Sequence, residues 1–223
     1  MTTMLKFPCL VLDHDDTTVN STATVHYPSF VEFMEKYFPD RMLTLEEYFI
    51  YNFDPGVVEM FTKICGLNEE QLRDEEAYWK EYVKHHIPKA YDGIREILEE
   101  QKRRGGRICV VSHSFSEYIR RDYRANRLPE PDLIYGWECP PEKRKPAVWP
   151  LEQIMKTFGY RPEELLVIDD LKPGYDMARA AGVPFAGAGW ANDIRQIEAF
   201  MRANCGLYFK TVPELQSYLF GEG

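Results

Sequence analysis

Apolar positions along the chain follow two rhythms. Short unbroken apolar runs, too brief for helices, end at Leu12, Val111 and Ile168. From Tyr91 onward such runs alternate with segments of helical spacing. Ile94, Ile97 and Leu98 fall at i, i+3, i+4 positions after Asp92, a candidate helix cap, and Gly105-Gly106 closes that helix. The pattern then predicts a strand over 107–111, helices over about 115–126 and 148–158, and a strand over 165–168. A helix over about 175–181 closed by Gly182, a strand over 183–186, a helix over about 192–203 and a short strand over 207–209 follow. Thr211-Val212-Pro213-Glu214 has the form of a capping box with Pro in the first turn, and opens a last helix. This alternation predicts an α/β protein with a doubly wound, mostly parallel sheet.

Residues 20–90 break the alternation and contain no convincing strand. Phe30, Phe33, Met34, Tyr37 and Phe38 share one helical face. Thr44-Leu45-Glu46-Glu47 is a second capping box. Asn68-Glu69-Glu70-Gln71 starts another helix whose apolar face includes Trp79, Tyr82, Val83 and Ile87. The chain therefore divides into a core, 1–19 with 91–223, and an all-helical insertion over 20–90. The insertion leaves and re-enters at the carboxyl edge of the sheet, so it is expected to sit above that edge.

Composition narrows the function classes. A chain of 223 residues with 44% hydrophobic and 14% aromatic residues supplies a buried core easily. The 27 Lys and Arg against 36 Asp and Glu leave a net charge of −9, a poor match for nucleic acid or an anionic membrane. Five cysteines without a C-x-x-C pair suggest neither a disulfide framework nor a zinc site. Cys9 and Cys109 lie in apolar runs and are expected as buried free thiols. Met1 to Phe7 is too short and polar for a signal peptide, and no apolar run approaches a membrane span. The expectation is a soluble, cytoplasmic protein.

The strand ends carry the chemistry. The first predicted strand runs into Asp13-His14-Asp15-Asp16-Thr17, the second into Ser112, and the third into Asp169-Asp170. In a parallel sheet these ends line one edge, where ligands bind. Four or five carboxylates brought together there repel one another and raise their own pKa values unless a cation joins them. A hard, oxygen-seeking ion such as Mg²⁺ resolves this, and one shared ion requires Asp13 and Asp170 to lie within about 6 Å.

At this point the chain resembles a family. Asp13-His14-Asp15-Asp16-Thr17 is similar to motif I of the haloacid dehalogenase-like hydrolase superfamily. Ser112 resembles motif II, Lys145-Pro146 motif III, and Asp169-Asp170 with the following Lys-Pro-Gly motif IV. All four occur in order over essentially the whole chain, and the insertion is similar to the family's C1-type helical cap. The resemblance implies a Rossmann-like core and a Mg²⁺-dependent phosphatase acting on a small phosphorylated metabolite. Asp13 would be the nucleophile and Asp15 the general acid and base. Ser112 and the backbone at His113 would hold phosphoryl oxygens, and Lys145 would neutralise charge. Asp13, the Asp15 carbonyl, Asp170 and Asp169 would hold the metal. Lys145 competes with Lys143, Arg144 and Lys172, and is preferred because it precedes the helix near Val148. His14 is expected to pack rather than react. Asp16 stands where Gly is frequent, Asn20 where Asp is frequent, and Thr18 where Leu is common.

His26, Tyr27, Tyr51, Asn52, Lys84, His85 and His86 are the insertion's candidates for choosing a substrate. Other readings remain open. A phosphosugar mutase would need an insertion that holds a bisphosphate. A phosphonate hydrolase would need a Schiff-base lysine among Lys36, Lys63, Lys80, Lys84 and Lys89. A dehalogenase would not use Asp15 as acid and base, and a non-enzymatic binding module would be expected to lack Asp13 or Asp15.

Overall fold

The computed structural model describes residues 5–221. Six strands form one sheet, all neighbours parallel, in the order β3-β2-β1-β4-β5-β6. They are β1 (Cys9–Leu12), β2 (Arg107–Val111), β3 (Leu133–Tyr135), β4 (Leu165–Asp169), β5 (Phe185–Ala188) and β6 (Leu207–Phe209). The central strands β1, β2 and β4 are apolar on both faces because helices cover both. Leu10, Leu12, Ile108, Val110, Leu166 and Ile168 point to one layer. That layer is built by α5 (Ile94–Arg103), α6 (Ser116–Ala125) and α10 (Val212–Phe220). Cys9, Val11, Cys109, Val111, Leu165 and Val167 point to the other, built by α7 (Trp149–Phe158), α8 (Lys172–Ala181) and α9 (Arg195–Asn204). Cys9 and Cys109 are buried and free.

The strand order places the site. The chain starts at β1, steps outward to β2 and β3, then crosses back to β4 and continues the other way. The crevice between β1 and β4 is thus the topological switch point, where diverging connections leave the carboxyl edge open. Asp13 follows β1 directly, its N–H donating to Ile168 O at 2.9 Å. Asp169 ends β4, and Ser112 follows β2.

Several element ends differ from expectation for local reasons. The β3 strand was not anticipated. Its three residues are too few to show a period. They are fixed by pairing with β2 and by Asp132, whose carboxylate accepts the Ile108 N–H at 2.8 Å. The β5 pairing begins at Phe185, not at Val183, because Pro184 has no N–H and only its carbonyl joins the sheet edge, accepting from Val167. Asp92 does not cap α5; Gly93, at φ 90°, occupies that position. The α8 helix starts at Lys172, three residues before the expected Tyr175, with Pro173 in its first turn. The capping boxes at Thr44, Asn68 and Thr211 form as expected.

Between β1 and α5 the described residues form helices and turns. The main helices are α1 (Tyr27–Tyr37), α2 (Leu45–Phe53) and α4 (Glu69–His85), with a short α3 (Val57–Glu59). Phe30, Phe33, Met34, Tyr48, Met60 and Phe61 give this segment an apolar cluster of its own. Tyr37, expected on the same face as Phe30, is 49% exposed. Phe49 and Phe53 of α2 point the other way, into the layer of α9. No helix among the described residues is long and apolar enough to cross a membrane.

Candidate active site

Asp13 stands at the switch point with its carboxylate buried. Carboxylate oxygens of Asp13, Asp169 and Asp170 lie within 4.8 Å of one another, close enough to share one ion. Lys145 is buried beside them, Nζ 3.0 Å from Asp13 Oδ1 and 2.7 Å from Asp169 Oδ2. Asp13 Oδ1 nevertheless has no aligned hydrogen-bond donor among the described residues. A buried anionic oxygen left this way is available to a metal ion or to an electrophile. Burial pushes the Asp13 carboxyl up to about 7; Lys145 opposes this, and Asp169 and Asp15 add to it. Burial also drives Asp170 well up, with Asp16, Asp169 and Asp13 contributing. Lys145 goes upward too, because Asp13 and Asp169 outweigh the effect of its burial. An all-oxygen donor set with surplus negative charge suits a hard divalent cation.

The turn after β1 is held by its own polar side chains. Thr17 Oγ1 donates to Asp170 Oδ1 at 3.1 Å, and Thr18 Oγ1 to Asp13 O at 2.7 Å. Asp16 adopts a left-handed conformation at φ 56°, where glycine is the default. Its carboxylate accepts the Thr22 N–H at 3.1 Å, which ties the turn to the start of the helical insertion. His14 points away from the carboxylate cluster: its Nε2 meets Asp122 Oδ2 at 3.0 Å and its ring stacks on Tyr123.

Asp169 is placed by a glycine. A Cβ on Gly174 would sit 2.1 Å from Asp169 Oδ2. Only a bare backbone at the first turn of α8 lets that carboxylate reach Lys145 while its Oδ1 accepts the Leu171 N–H at 2.8 Å. Lys172, the rival in sequence, is partly exposed and faces Asp176 and Asp54.

Asp15 has a different environment. His26 Nε2 lies 2.9 Å from Oδ1, and Ser114 Oγ donates to Oδ2 at 2.6 Å. Burial would raise this carboxyl, but His26 and the two hydrogen bonds hold it far below the usual range. The Trp79 indole N–H donates to His26 Nδ1 at 2.9 Å. Burial lowers the His26 pKa and Asp15 more than reverses that. A proton on Nδ1 would, however, face the indole N–H, so this hydrogen bond holds the ring neutral with Nε2–H toward Asp15. Ser114 is not singled out by the sequence, and Trp79 enters there only as part of an apolar helix face.

Ser112 is buried, and its Oγ accepts the Ser114 N–H at 3.0 Å, leaving its own hydroxyl proton to donate elsewhere. His113 lines the same opening. Its Nε2–H donates to the Lys145 carbonyl at 3.1 Å, and burial with the nearby Lys145 charge pushes the ring down to about 4. It therefore steadies the Lys145 main chain as a neutral imidazole.

Asp13, Asp15, Asp170, Lys145, His113 and Ser114 floor a cavity of about 200 Å³ roofed by the helical insertion, and Ser112 and Asp169 lie behind this lining. Tyr48, Phe49, Phe61, Trp79 and Trp137 supply aromatic walls, and Glu75 and Glu76 also face it. Of the insertion candidates, His26 and Asn52 line the cavity. Tyr27 donates to Leu43 O, Lys84 and His85 pair with Glu81 in solvent, and His86 stacks on Tyr82. Tyr51 packs against the apolar cluster of the insertion. The roofing residues are scattered through five helical segments, and no local pattern distinguishes them from core.

Residues 10–188 match the sequence profile of the haloacid dehalogenase-like hydrolases. The chain belongs to that family. This haloacid dehalogenase-like hydrolase is 21% identical over 186 residues to the pyrophosphatase PpaX of Bacillus cereus, covering 83% of this chain and 85% of that protein. Among solved structures it is similar to CbbY of Rhodobacter sphaeroides in complex with phosphate. That match has a TM-score of 0.72 and 18% identity, covering 95% of this chain and 96% of the other. A haloacid dehalogenase-like hydrolase of Streptococcus pneumoniae superposes with a TM-score of 0.75 and 17% identity, covering 96% and 98%. The shared fold extends through the helical insertion of this hydrolase as well as its sheet.

Proposed function

We propose that this hydrolase is a Mg²⁺-dependent phosphatase that cleaves a small phosphomonoester through an aspartyl-phosphate on Asp13. One observation carries the reading. A buried carboxylate oxygen without an aligned donor stands at the switch point, beside Lys145 and two further carboxylates. The phosphate-bound structural neighbour and the pyrophosphatase relative support a phosphoryl substrate.

In this reading Asp13 attacks phosphorus, the bond to the leaving oxygen breaks, and that oxygen takes a proton from Asp15. Water then attacks the acyl phosphate while Asp15 takes its proton; inorganic phosphate leaves and Asp13 is restored. The resting Asp15 is held ionised, ready for the second step. For the first step, a phosphate dianion arriving beside it raises its pKa, so Asp15 takes up a proton from solvent before giving it to the leaving oxygen. Lys145 balances charge on phosphate and nucleophile, and the Ser112 hydroxyl proton is free for a phosphoryl oxygen. Asp13, the Asp15 carbonyl, Asp170 and Asp169 would hold Mg²⁺, which screens repulsion between the anions and orients the phosphoryl group.

We further assign 1–19 with 91–223 to the catalytic core and 20–90 to a C1-type helical cap. The alternatives receive less support. A mutase needs a cationic grip on a second phosphate, yet Lys145 is the one lysine or arginine lining the cavity among the described residues. None of the Schiff-base candidates Lys36, Lys63, Lys80, Lys84 and Lys89 lines the cavity. Free cysteines suit a reducing compartment, in keeping with a cytoplasmic metabolite phosphatase.

The test is phosphate release from nitrophenyl phosphate. Mg²⁺ supports turnover and EDTA stops it; Asp13→Asn lowers kcat by on the order of 10³-fold or more while the far-ultraviolet spectrum is kept. Turnover that survives either EDTA or the substitution refutes the scheme.

A further inference from the structure

The cavity above Asp13 holds a carboxyl that the proposed chemistry does not use. Glu75, in the second turn of α4, is 7% exposed and lines the cavity. No hydrogen bond to it is formed among the described residues; only the charges of Glu76 and His26 act on it. A buried polar group without a partner is costly in a fold, and one that lines a ligand cavity is satisfied by the ligand. Glu76 lines the cavity beside it and pairs with Lys80 at 2.7 Å.

The charge around Glu75 selects the kind of ligand group. Lys145, the one lysine or arginine in the lining among the described residues, is committed to Asp13 and Asp169. His26 is committed to Asp15 and Trp79. A carboxylate or second phosphate on the leaving group would find no free cation at the roof and would face Glu75. A neutral leaving group without a hydrogen-bond donor would leave Glu75 unpaired, and a neutral donor would pair it without balancing its charge. A protonated amine would accept neither fault: it would donate charge-assisted hydrogen bonds to the carboxylate and lie among rings suited to a cation. Tyr48, Phe61 and Trp79 supply those rings. Burial, with Glu76 adding and His26 opposing, pushes the Glu75 carboxyl up to about 8, and an ammonium brought against it would draw that value down and favour the carboxylate.

We propose that the roof of this cavity selects phosphomonoesters whose alcohol carries a protonated amine, with Glu75 as the residue that recognises the ammonium. This rests on the phosphatase reading and narrows it to a substrate class. Hydrolysis would release a small amino alcohol and inorganic phosphate, and the cavity volume of about 200 Å³ confines the alcohol to a few carbon atoms.

The experiment compares kcat/KM for aminoethyl phosphate, propyl phosphate and carboxymethyl phosphate in Mg²⁺, with nitrophenyl phosphate reporting the chemistry itself. The amine ester is expected to exceed its neutral isostere by roughly 10–100-fold, the range of one charge-assisted contact, and the carboxylate ester to be poorest. In Glu75→Gln the ratio of amine to neutral ester is expected to collapse toward parity, chiefly through KM. A preference for the carboxylate ester, parity in the wild type, or an amine preference that survives Glu75→Gln overturns the assignment. The wild-type ratio needs no variant, so a misfolded substitution does not shield the proposal. Release from nitrophenyl phosphate without amine preference refutes the substrate class alone; no release from any ester refutes the phosphatase reading and this inference with it.

Discussion

The position of one carboxylate oxygen sets what Lys145 can do. Asp169 receives Lys145 on one oxygen and the Leu171 N–H on the other, in space that exists because residue 174 has no side chain. Gly174→Ala inserts a methyl group 2.1 Å from Asp169 Oδ2 and must displace it. We expect kcat on nitrophenyl phosphate to fall by roughly 10²-fold, the cost of a displacement on the scale of an ångström, with little change in KM. Unchanged turnover would show that Asp169 does not position Lys145. Asp16 is a second case. Its left-handed backbone would be strained for most residues, and the bond from Thr22 N–H offsets that strain while leading the chain into the insertion. The sequence pointed to Asp13, Asp15, Asp169 and Asp170 because short strands ending in acidic residues are a local pattern, and to Lys145 only through the family resemblance and its place before a helix. Ser114, Trp79 and Glu75 were not legible. Their meaning comes from what faces them, and they sit in sequence among ordinary helix and turn residues.

At the scale of elements, the insertion is fastened to the sheet layer by α2. Tyr48 faces the insertion's own cluster, whereas Phe49 and Phe53 pack toward α9, with the Phe53 and Phe200 rings 5.3 Å apart. One helix thus carries apolar residues on two faces, as an element between two cores must. Phe53→Ala should remove about 3 kcal/mol of stability and lower Tm by roughly 6–12 °C in a calorimetric scan. KM for nitrophenyl phosphate should rise as the roof loosens. A Tm within a degree or so of wild type would mean that α2 is not anchored there. Helix and strand limits were mostly legible from spacing, capping boxes and glycines. They failed where a neighbour decides: β3 exists through its partner β2, and β5 is displaced by the missing N–H of Pro184.

For the whole molecule, the carboxylate cluster ties stability to pH and to metal. Asp13 and Asp16 are pushed up, mainly by burial, to about 7 and about 6, and Asp170 and Glu75 are raised as well. Between about pH 4 and pH 7 the unfolded chain has released protons that the folded protein retains, so metal-free stability falls as pH rises through this window. Asp15 adds no slope there, since it is ionised in both states. Mg²⁺ requires ionised ligands and competes with their protons. The rise in Tm on adding Mg²⁺ should therefore be larger near pH 8 than near pH 5.5; equal shifts would separate the ion from Asp13 and Asp170.

The sequence by itself determined the parallel α/β alternation, the helical character of 20–90 and the acidic strand ends. Each follows from residues close together in the chain: apolar period, capping side chains, breakers. The tertiary structure decided that β1 and β4 adjoin at the switch point, that Gly174 makes room for Asp169, and that α2 and α4 bring aromatic rings and Glu75 to the cavity above Asp13. Those relations depend on the order in which strands pack and on which helix face meets which neighbour, and local spacing does not encode them.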